Sequence, residues 1–505
     1  MADVTSRGPS LIALPAAGPH DSAPLVVRQE WVGSPATGAA APFYETAPNP
    51  GATRRMLLMF FYFAPSAEVG ALRWMSLARF AADRGWAVDV VTLHPSFMGT
   101  LDPSRLAQLP AGMRLFGFSG AEPLWYRGLV GAWRRWNGTS GTNGGSGLGG
   151  HLDGSDLGRE LAAEHAPMWR RTLRSRMHFK LGDALARRAT DLGTELARST
   201  RYDVVVSSGP PHAAHVAARG VAANTGVPFV MDMRDPWSDD TAMPEELRSA
   251  AWQRMARANE DRCVSAASAV VVTSEAHEEL QVRKYPFLRG RVRTVMNGVD
   301  TDAIPKSRLK NRFLVAFAGM IYLGRDPRVL FRAAARVARE TGATPDQFAV
   351  EFMGDDACNG VPLATIASEE GLVGHFRSHG FRPRREALDF LSEAAVLVSL
   401  PLRTTMTVPA KLFEYMRFDA WLLALAERGS ATEALLRGTG ADVVEPSNEA
   451  RVAEVLRVRF DEFRAGRRPV ALNRDGRFDR ATQSARMFSL LEEIAAAPRG
   501  EAAAR

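Results

Sequence analysis

The sequence predicts an α/β protein of two doubly wound domains that face each other across a cleft. Short continuous apolar runs such as Met56 to Phe63 alternate with stretches of helical periodicity, and the alternation restarts in full at Phe313. Continuous apolar runs suit strands buried on both faces, as in parallel sheets. Their alternation with helices suits crossover units, and ligands in such sheets lie outside the carboxyl ends of the strands.

Residues 1 to 54 are rich in Ala, Pro, Gly and Ser without sustained periodicity and read as a disordered leader. Strand Met56–Phe63, helix Ala71–Arg84 and strand Ala87–Leu93 then form a βαβ unit, with Gly85 ending the helix. Beyond it the pattern blurs, and residues 137–158 read as a Gly/Ser-rich flexible insert. Alternation returns with a basic helix over Pro167–Ser199, strand Asp203–Ser207, a helix from His212 and strand Pro228–Met233. A helix over 244–267 and strands Ala269–Thr273 and Val292–Met296 complete this half. The second half reads as strands from Phe313, Phe348, His375, Ala395, Trp421 and Asp442, with helices between them and closing helices at 449–465 and 479–496. The expected domains are therefore 55–300 and 301–480, followed by a closing helix and tail over 481–505.

The chain of 505 residues is 46% hydrophobic and 24% charged, ordinary values for a globular protein. Its net charge of +7 and pI near 9.7 come mostly from arginine and suit anionic partners. A composition bias accounts for the charge equally well, and no nucleic-acid motif accompanies it. Two cysteines, Cys263 and Cys358, are too few for a disulfide framework, so a reducing cytoplasm is expected. No apolar run reaches the roughly 18 to 20 residues of a membrane helix, and no signal peptide is evident.

The chemically telling stretch is Val408-Pro409-Ala410-Lys411-Leu412-Phe413-Glu414, which follows the strand ending at Leu400 and a polar loop. A lysine and a glutamate at i, i+3 share one helical face. A cation beside a helix N-terminus suits a diphosphate, and a carboxylate suits ribose hydroxyls. On spacing alone an exposed ion pair is as good a reading.

Four stretches in order resemble the GT-B glycosyltransferases, specifically the retaining family-4-type enzymes that use nucleotide sugars. They are Phe61-Tyr62-Phe63-Ala64-Pro65 through Gly70, Arg73 and Arg84-Gly85-Trp86; Ser207 to His212 with Met231-Asp232-Met233-Arg234-Asp235-Pro236-Trp237; Asn297-Gly298-Val299-Asp300; and the P-x-K-x-x-E stretch at Pro409. The second is similar to a signature of a bacterial surface-polysaccharide branch. The match spans residues 56–490 and implies two facing Rossmann-like domains joined by a hinge at Asn297.

The resemblance also implies roles. Gly319, Arg325, Lys411 and Glu414 would hold the donor nucleotide, with Arg328 the other candidate cation. Gly70, Arg73, Arg234 and Asp235 would line the acceptor side, and His212, Arg325 and Lys411 would act in catalysis. Each has a plainer reading: a simple turn at Gly70, a solvated loop at Arg325, a packed or capping His212, an Arg234–Asp235 pair, and a core Trp237. Asp300-Thr301-Asp302 lies in the hinge, so no metal is assigned, and no cofactor is expected beyond the nucleotide sugar as co-substrate.

The expected activity is transfer of a sugar to a glycan or lipid-linked acceptor. A non-catalytic GT-B scaffold and a nucleotide-sugar epimerase are the alternatives. The basic aromatic segments 125–136 and 169–188 suit an anionic membrane surface, or equally a solvated helical face. The expected location is the cytoplasm, extending to the inner face of the membrane. Two departures stand out: the family's first donor glutamate falls on Met406, and its small Gly-Pro turn is replaced by Arg417-Phe418-Asp419-Ala420-Trp421.

Overall fold

The computed structural model describes residues 40–68, 70–121, 168–239, 249–300, 304–321, 325–401 and 405–498. The first half runs β1 (Tyr44–Glu45), β2 (Arg54–Met59), α1 (Ala71–Asp83), β3 (Trp86–Leu93), β4 (Met113–Phe118), α2 (Met168–Ser199), β5 (Val204–Gly209), α3 (Ala213–Thr225), β6 (Phe229–Met233), α4 (Ala250–Ala266), β7 (Ala269–Val272), α5 (Glu275–Lys284) and β8 (Val292–Thr294). The second half runs β9 (Phe313–Gly319), α6 (Arg328–Thr341), β10 (Phe348–Gly354), the short pair β11 (Ala357–Cys358) and β12 (Val361–Pro362), α7 (Leu363–Glu369), β13 (Phe376–Ser378), α8 (Arg384–Leu391), β14 (Val396–Ser399), α9 (Ala410–Tyr415), β15 (Trp421–Leu425), α10 (Ala431–Leu436), β16 (Asp442–Val444), α11 (Glu449–Arg464) and α12 (Arg480–Ala496).

The first sheet has the order β1-β4-β3-β2-β5-β6-β7-β8, parallel except for the antiparallel edge pair β1–β4. The second, β13-β10-β9-β14-β15-β16, is parallel throughout. In both, the strand order reverses beside the domain's opening strand, between β2 and β5 and between β9 and β14. Loops leaving those strands diverge and open a crevice. Apolar cores cover both faces of each sheet, as the continuous hydrophobic runs require.

Order begins earlier than the composition suggests. Phe43 and Tyr44 are buried, β1 pairs with β4, and the Tyr44 hydroxyl donates to Leu106 O at 2.9 Å. The expected leader boundary at 54 is thereby corrected to residue 40 or before, and the part of that expectation on residues 1–39 lies outside the described residues. A two-residue edge strand gains its order from a partner about 70 residues away, so local periodicity carries no trace of it. The run from Met56 also leaves the sheet sooner than expected: β2 ends at Met59, and the Thr92 hydroxyl donates to Phe61 O (3.0 Å) and accepts from Phe63 N (3.2 Å). The expected Gly/Ser insert and the segment 125–136 lie outside the described residues.

Two chain crossings join the domains. At the first, Val299 N donates to Phe478 O (3.0 Å), and Arg480 N donates back to Val299 O (2.8 Å). The second crossing thus lies alongside the hinge. Beyond it, α12 packs on the first domain, where Met487, Phe488 and Leu491 join Trp74 and Trp86 in one core. Arg84 pairs with Glu492 at 2.8 Å on the rim of that contact.

One buried ion pair ties the first domain's cleft edge to the hinge. The Asp232 carboxylate, at the end of β6, accepts from Arg73 Nε (3.2 Å) and Nη2 (2.9 Å), Trp74 Nε1 (2.8 Å) and the Ser208 hydroxyl (2.9 Å). Arg73 Nη1 also donates to Met296 O at 3.1 Å and Asn297 Oδ1 at 3.4 Å. Burial opposes ionisation of Asp232, but the Arg73 charge, the hydrogen bonds from Arg73 and Trp74 and the nearby Arg234 hold its pKa below the ordinary value. Truncating one partner strands the other charge in the interior, so Asp232→Ala is expected to cost about 3–5 kcal/mol. Urea unfolding monitored by circular dichroism measures this; a change below about 1 kcal/mol would show that the pair is not an essential tie.

Candidate functional site

The residues expected on the donor side gather where β9, β14 and the loop before α9 meet. β9 ends in Gly319 at φ 136°, a left-handed conformation that favours glycine. A Cβ there would collide with Lys411 Nζ, so glycine lets the ammonium reach the strand end. Lys411 donates to Ala318 O at 2.8 Å and lies 4.1 Å from the centroid of the Phe317 ring. Tyr415 braces the same peptide, its hydroxyl accepting from Ala318 N (3.0 Å) and donating to Ala318 O (3.2 Å).

Lys411 has no ion pair with any described residue. Burial, reinforced by the charge of Arg325, lowers its pKa to about 7 against the opposing pull of Glu414 and Asp355. Arg325 is buried and donates to Met320 O at 2.8 Å. Two cations thus converge at the strand end, where they are poised for an anion. Arg328 points its charge elsewhere, pairing with Asp326 at 3.1 Å. The helix carrying Lys411 and Glu414 is only six residues long, so these side chains hold most of the charge, rather than a helix dipole.

The Lys411–Glu414 pair read from the spacing does not form. Glu414 instead accepts from Arg384 on α8. Arg384 is thirty residues from Glu414 in sequence, and nothing local in the chain marks it as a partner. Tyr415 and Asp355, which accepts from Ile321 N at 2.8 Å, also belong to this site and were missed by the sequence reading. Tyr415 directly follows Glu414 in the recognised stretch and was findable there.

The acceptor-side residues gather at the ends of β5 and β6. Gly70 lacks the Cβ that would block the Arg234 guanidinium, 2.7 Å from Nη1. Arg234 uses that space to donate to Gly70 O (2.8 Å), Gly209 O (3.2 Å) and Pro210 O, with its guanidinium 5.1 Å from the centroid of the Phe60 ring. Arg234 therefore ties three cleft-edge loops together. Arg73, expected on the acceptor side, is only 4% exposed and engaged with Asp232 and the hinge; it shapes the cleft edge from inside the domain.

Asp235 and His212 remain available. The Asp235 carboxylate has no hydrogen-bond or ion-pair partner among the described residues, and burial raises its pKa despite Arg234 and Arg73 nearby. His212 stacks on Trp237 with centroids 4.8 Å apart, and its buried Nδ1 has no partner among the described residues. Burial and the neighbouring His215, Arg234, His277 and His178 hold its pKa well below the ordinary value, so the ring is neutral. His215 behind it, pushed down to about 3, hydrogen-bonds the Ser207 hydroxyl at 2.7 Å. Trp237 is 4% exposed, a core residue that also backs the His212 ring.

The two half-sites touch. The Ser274 hydroxyl, which accepts from His277 N at the start of α5 (3.1 Å), also donates to Met406 O across the cleft. Asp300 accepts from the Ser76 hydroxyl at 3.0 Å and lies 3.7 Å from Arg480, so this hinge aspartate serves the domain junction. Burial lowers the Arg480 pKa to about 10, with Asp300, Arg73 and Glu414 all within electrostatic reach.

Comparisons with known proteins bear on this site. Residues 156–303 match the family described as Glycosyltransferase Family 4. A D-inositol 3-phosphate glycosyltransferase of Catenulispora acidiphila is 27% identical over 288 residues, 52% of this chain and 64% of that relative. The match thus spans less than two thirds of the relative's length. Among solved structures, a sucrose-phosphate synthase from Thermosynechococcus elongatus superposes with a TM-score of 0.58 at 14% identity, covering 88% of this chain and all of that one. A trehalose 6-phosphate synthase from Burkholderia multivorans gives 0.52 at 15% identity, covering 88% and 99%. The lipopolysaccharide outer core galactosyltransferase WaaB gives 0.51 at 10% identity, covering 87% and 99%. The shared architecture is the GT-B fold of two Rossmann-like domains.

Lys411 yields a pH prediction. Without an anion it loses its proton near pH 7. A bound diphosphate favours the charged form and raises that pKa, so binding takes up a proton above this pH and none well below it. Affinity for a nucleoside diphosphate should accordingly fall as pH rises from about 7 to about 9. Calorimetry at about pH 8 in two buffers of different ionisation enthalpy reads the uptake, and Lys411→Met should abolish it. Equal binding heats for the unsubstituted protein in both buffers would show that Lys411 does not meet the diphosphate.

Proposed function

We propose that this protein is a glycosyltransferase that moves a sugar from a nucleotide-sugar donor to a glycan or lipid-linked acceptor, with retention of anomeric configuration. The observation that carries the reading is the buried ammonium of Lys411 at the carboxyl end of β9, without an ion-pair partner and beside Arg325. In this reading the donor diphosphate lies against Gly319, Arg325 and Lys411, and Glu414 takes the ribose hydroxyls after exchanging Arg384 for them. The bond from the anomeric carbon to the diphosphate breaks with its electron pair on the phosphate oxygen. Fixed cations already aimed there lower the barrier, because they need no reorganisation as charge develops.

The acceptor hydroxyl bonds the anomeric carbon on the face the diphosphate leaves and passes its proton to the departing phosphate oxygen, which has gained the electron pair. Asp235, with its raised pKa and open carboxylate, and neutral His212, with an open Nδ1, are the groups of the first domain suited to orient that hydroxyl. No step in this scheme uses a protein-bound metal. The names and the fold of the similar proteins support the transferase reading, and surface-polysaccharide synthesis is the setting favoured by the Ser207 to Trp237 signature.

A donor panel tests the proposal: release of UDP, GDP or ADP from their sugar conjugates is followed with and without a crude lipid acceptor fraction. Acceptor-dependent release is expected for one base. Lys411→Ala should lower it at least about a hundredfold, on the scale of removing a transition-state donor, and Glu414→Ala, which removes a ribose contact made equally before and during reaction, should chiefly raise the donor KM. Unchanged turnover in both variants would sink the site assignment. Acceptor-independent conversion of the donor sugar would identify an epimerase, and saturable binding without release a scaffold.

A further inference from the structure

A second cavity lies on the helical layer of the first domain, outside the cleft. The helices α2, α3 and α4 border an open groove of about 320 Å³, with Ala186, Val216 and Cys263 in its lining and Arg187 and Arg262 exposed at it. Each helix contributes one arginine to the lining: Arg187, Arg219 and Arg262. Arg187 and Arg219 have no hydrogen-bond or ion-pair partner among the described residues. Arg262 is anchored from behind, donating to Asn259 Oδ1 at 2.6 Å and Ala258 O at 3.0 Å. Asp183 is the sole acidic lining residue; it lies within electrostatic reach of Arg187 and Arg262 but forms no close ion pair with them. Three guanidiniums against one carboxylate leave two positive charges in excess.

We propose that this three-helix cavity is a binding site for a phosphate group, separate from the donor site. Like charges brought together from three elements repel unless an anion lies between them. A guanidinium's planar fork matches phosphate oxygens, and three such forks from different helices can surround one phosphate. The volume falls at the lower end of ligand pockets, about 300–1,000 Å³, so the bound molecule is small: a phosphate monoester with a short organic body. The Cys263 thiol is pushed up to about 12 by burial, against Arg219 and Arg262, and is an inert part of the floor.

Such a monoester has two sources, a soluble metabolite or a lipid headgroup. The second is worth testing because Trp169 and Leu173 are 57% and 50% exposed on α2. They precede Arg187 by about five and four helical turns and so fall on its face. The site also lies seven residues along α3 from His212, about 10 Å from the cleft end of that helix. Occupancy there bears directly on the element that carries the cleft histidine.

The test is calorimetry of inorganic phosphate and of glycerol 3-phosphate on the full chain and on four variants. Saturable binding is expected. Arg187→Gln and Arg219→Gln should each weaken it about tenfold, and Lys411→Met should leave the same binding event in place. Asp183→Asn, which removes the opposing charge, should tighten it several-fold, a gain that a misfolded variant cannot produce. The phosphate site is overturned if neither probe saturates, or if the two arginine variants bind as the unsubstituted chain does. It is also overturned if Lys411→Met alone abolishes binding. Cosedimentation with phosphatidylcholine vesicles containing phosphatidic acid separates the sources. Vesicle binding lost in Arg187→Gln and Arg219→Gln assigns the phosphate to a headgroup. Vesicle binding unchanged in both, with soluble phosphate binding still weakened, assigns it to a metabolite.

Discussion

The Arg73–Asp232 ion pair is the constraint on which the cleft depends. Both side chains are at least 96% buried, and isolating two charges from water costs several kcal/mol per ion before their attraction is counted. The cost is met because every strong donor in reach converges on the carboxylate: two from Arg73, one from Trp74 and one from Ser208. These partners come from the start of α1 and the ends of β5 and β6, and Arg73 continues to the hinge at Met296 and Asn297. One residue pair therefore fixes the two strand ends that frame the acceptor side and the peptide about which the domains are joined. A hydrophobic pair could fill the same volume, but it would not set the hydrogen-bond register of the hinge.

The donor side is organised the opposite way. There Lys411 is held by a carbonyl and an aromatic face, with the charge of Arg325 near it. A lysine whose pKa has fallen to about 7 stores unfavourable charge burial that a bound anion relieves. Glu414 is meanwhile occupied by Arg384, so Lys411 and Glu414 do not neutralise each other along the helix. Arg73 and Asp232 thus fix the shape of the first domain's cleft edge, whereas Lys411 in the second keeps its charge without an ion pair among the described residues.

How much of this was legible follows from sequence distance. Strands β2, β9 and β14 are continuous apolar runs, and each was visible within a few residues of its final bounds. The cluster at Gly319 and Lys411 was reachable through short motifs because each motif is a strand end or helix start with its own local signature. β1, β4 and α5 left little such trace, since they are short or lie where no periodic partner flanks them. Arg73 was placed in the cleft because its motif faces the cleft; its true partner lies 159 residues on, and only the strand order brings them together. Arg384 on Glu414 is the same case at a separation of thirty. Pairings of side chains across a parallel sheet depend on topology, which composition and spacing do not encode.

Met406 can be weighed against this background. The resemblance places a glutamate at this position, and its loss first suggests a broken donor loop. Yet the loop is held by backbone: Met406 O accepts from Ser274, and Thr405 O accepts from Ala431 N at 2.7 Å. Neither contact depends on the side chain at 406. These two backbone contacts hold the path of the loop toward Val408 and α9, where Lys411 and Glu414 follow. In the proposed function, what changes is the chemistry offered beyond the diphosphate, where a thioether replaces a carboxylate that could accept sugar hydroxyls. On that reading the departure bears on which sugar is carried, while the proposed nucleotide contacts of Lys411 and Glu414 lie elsewhere.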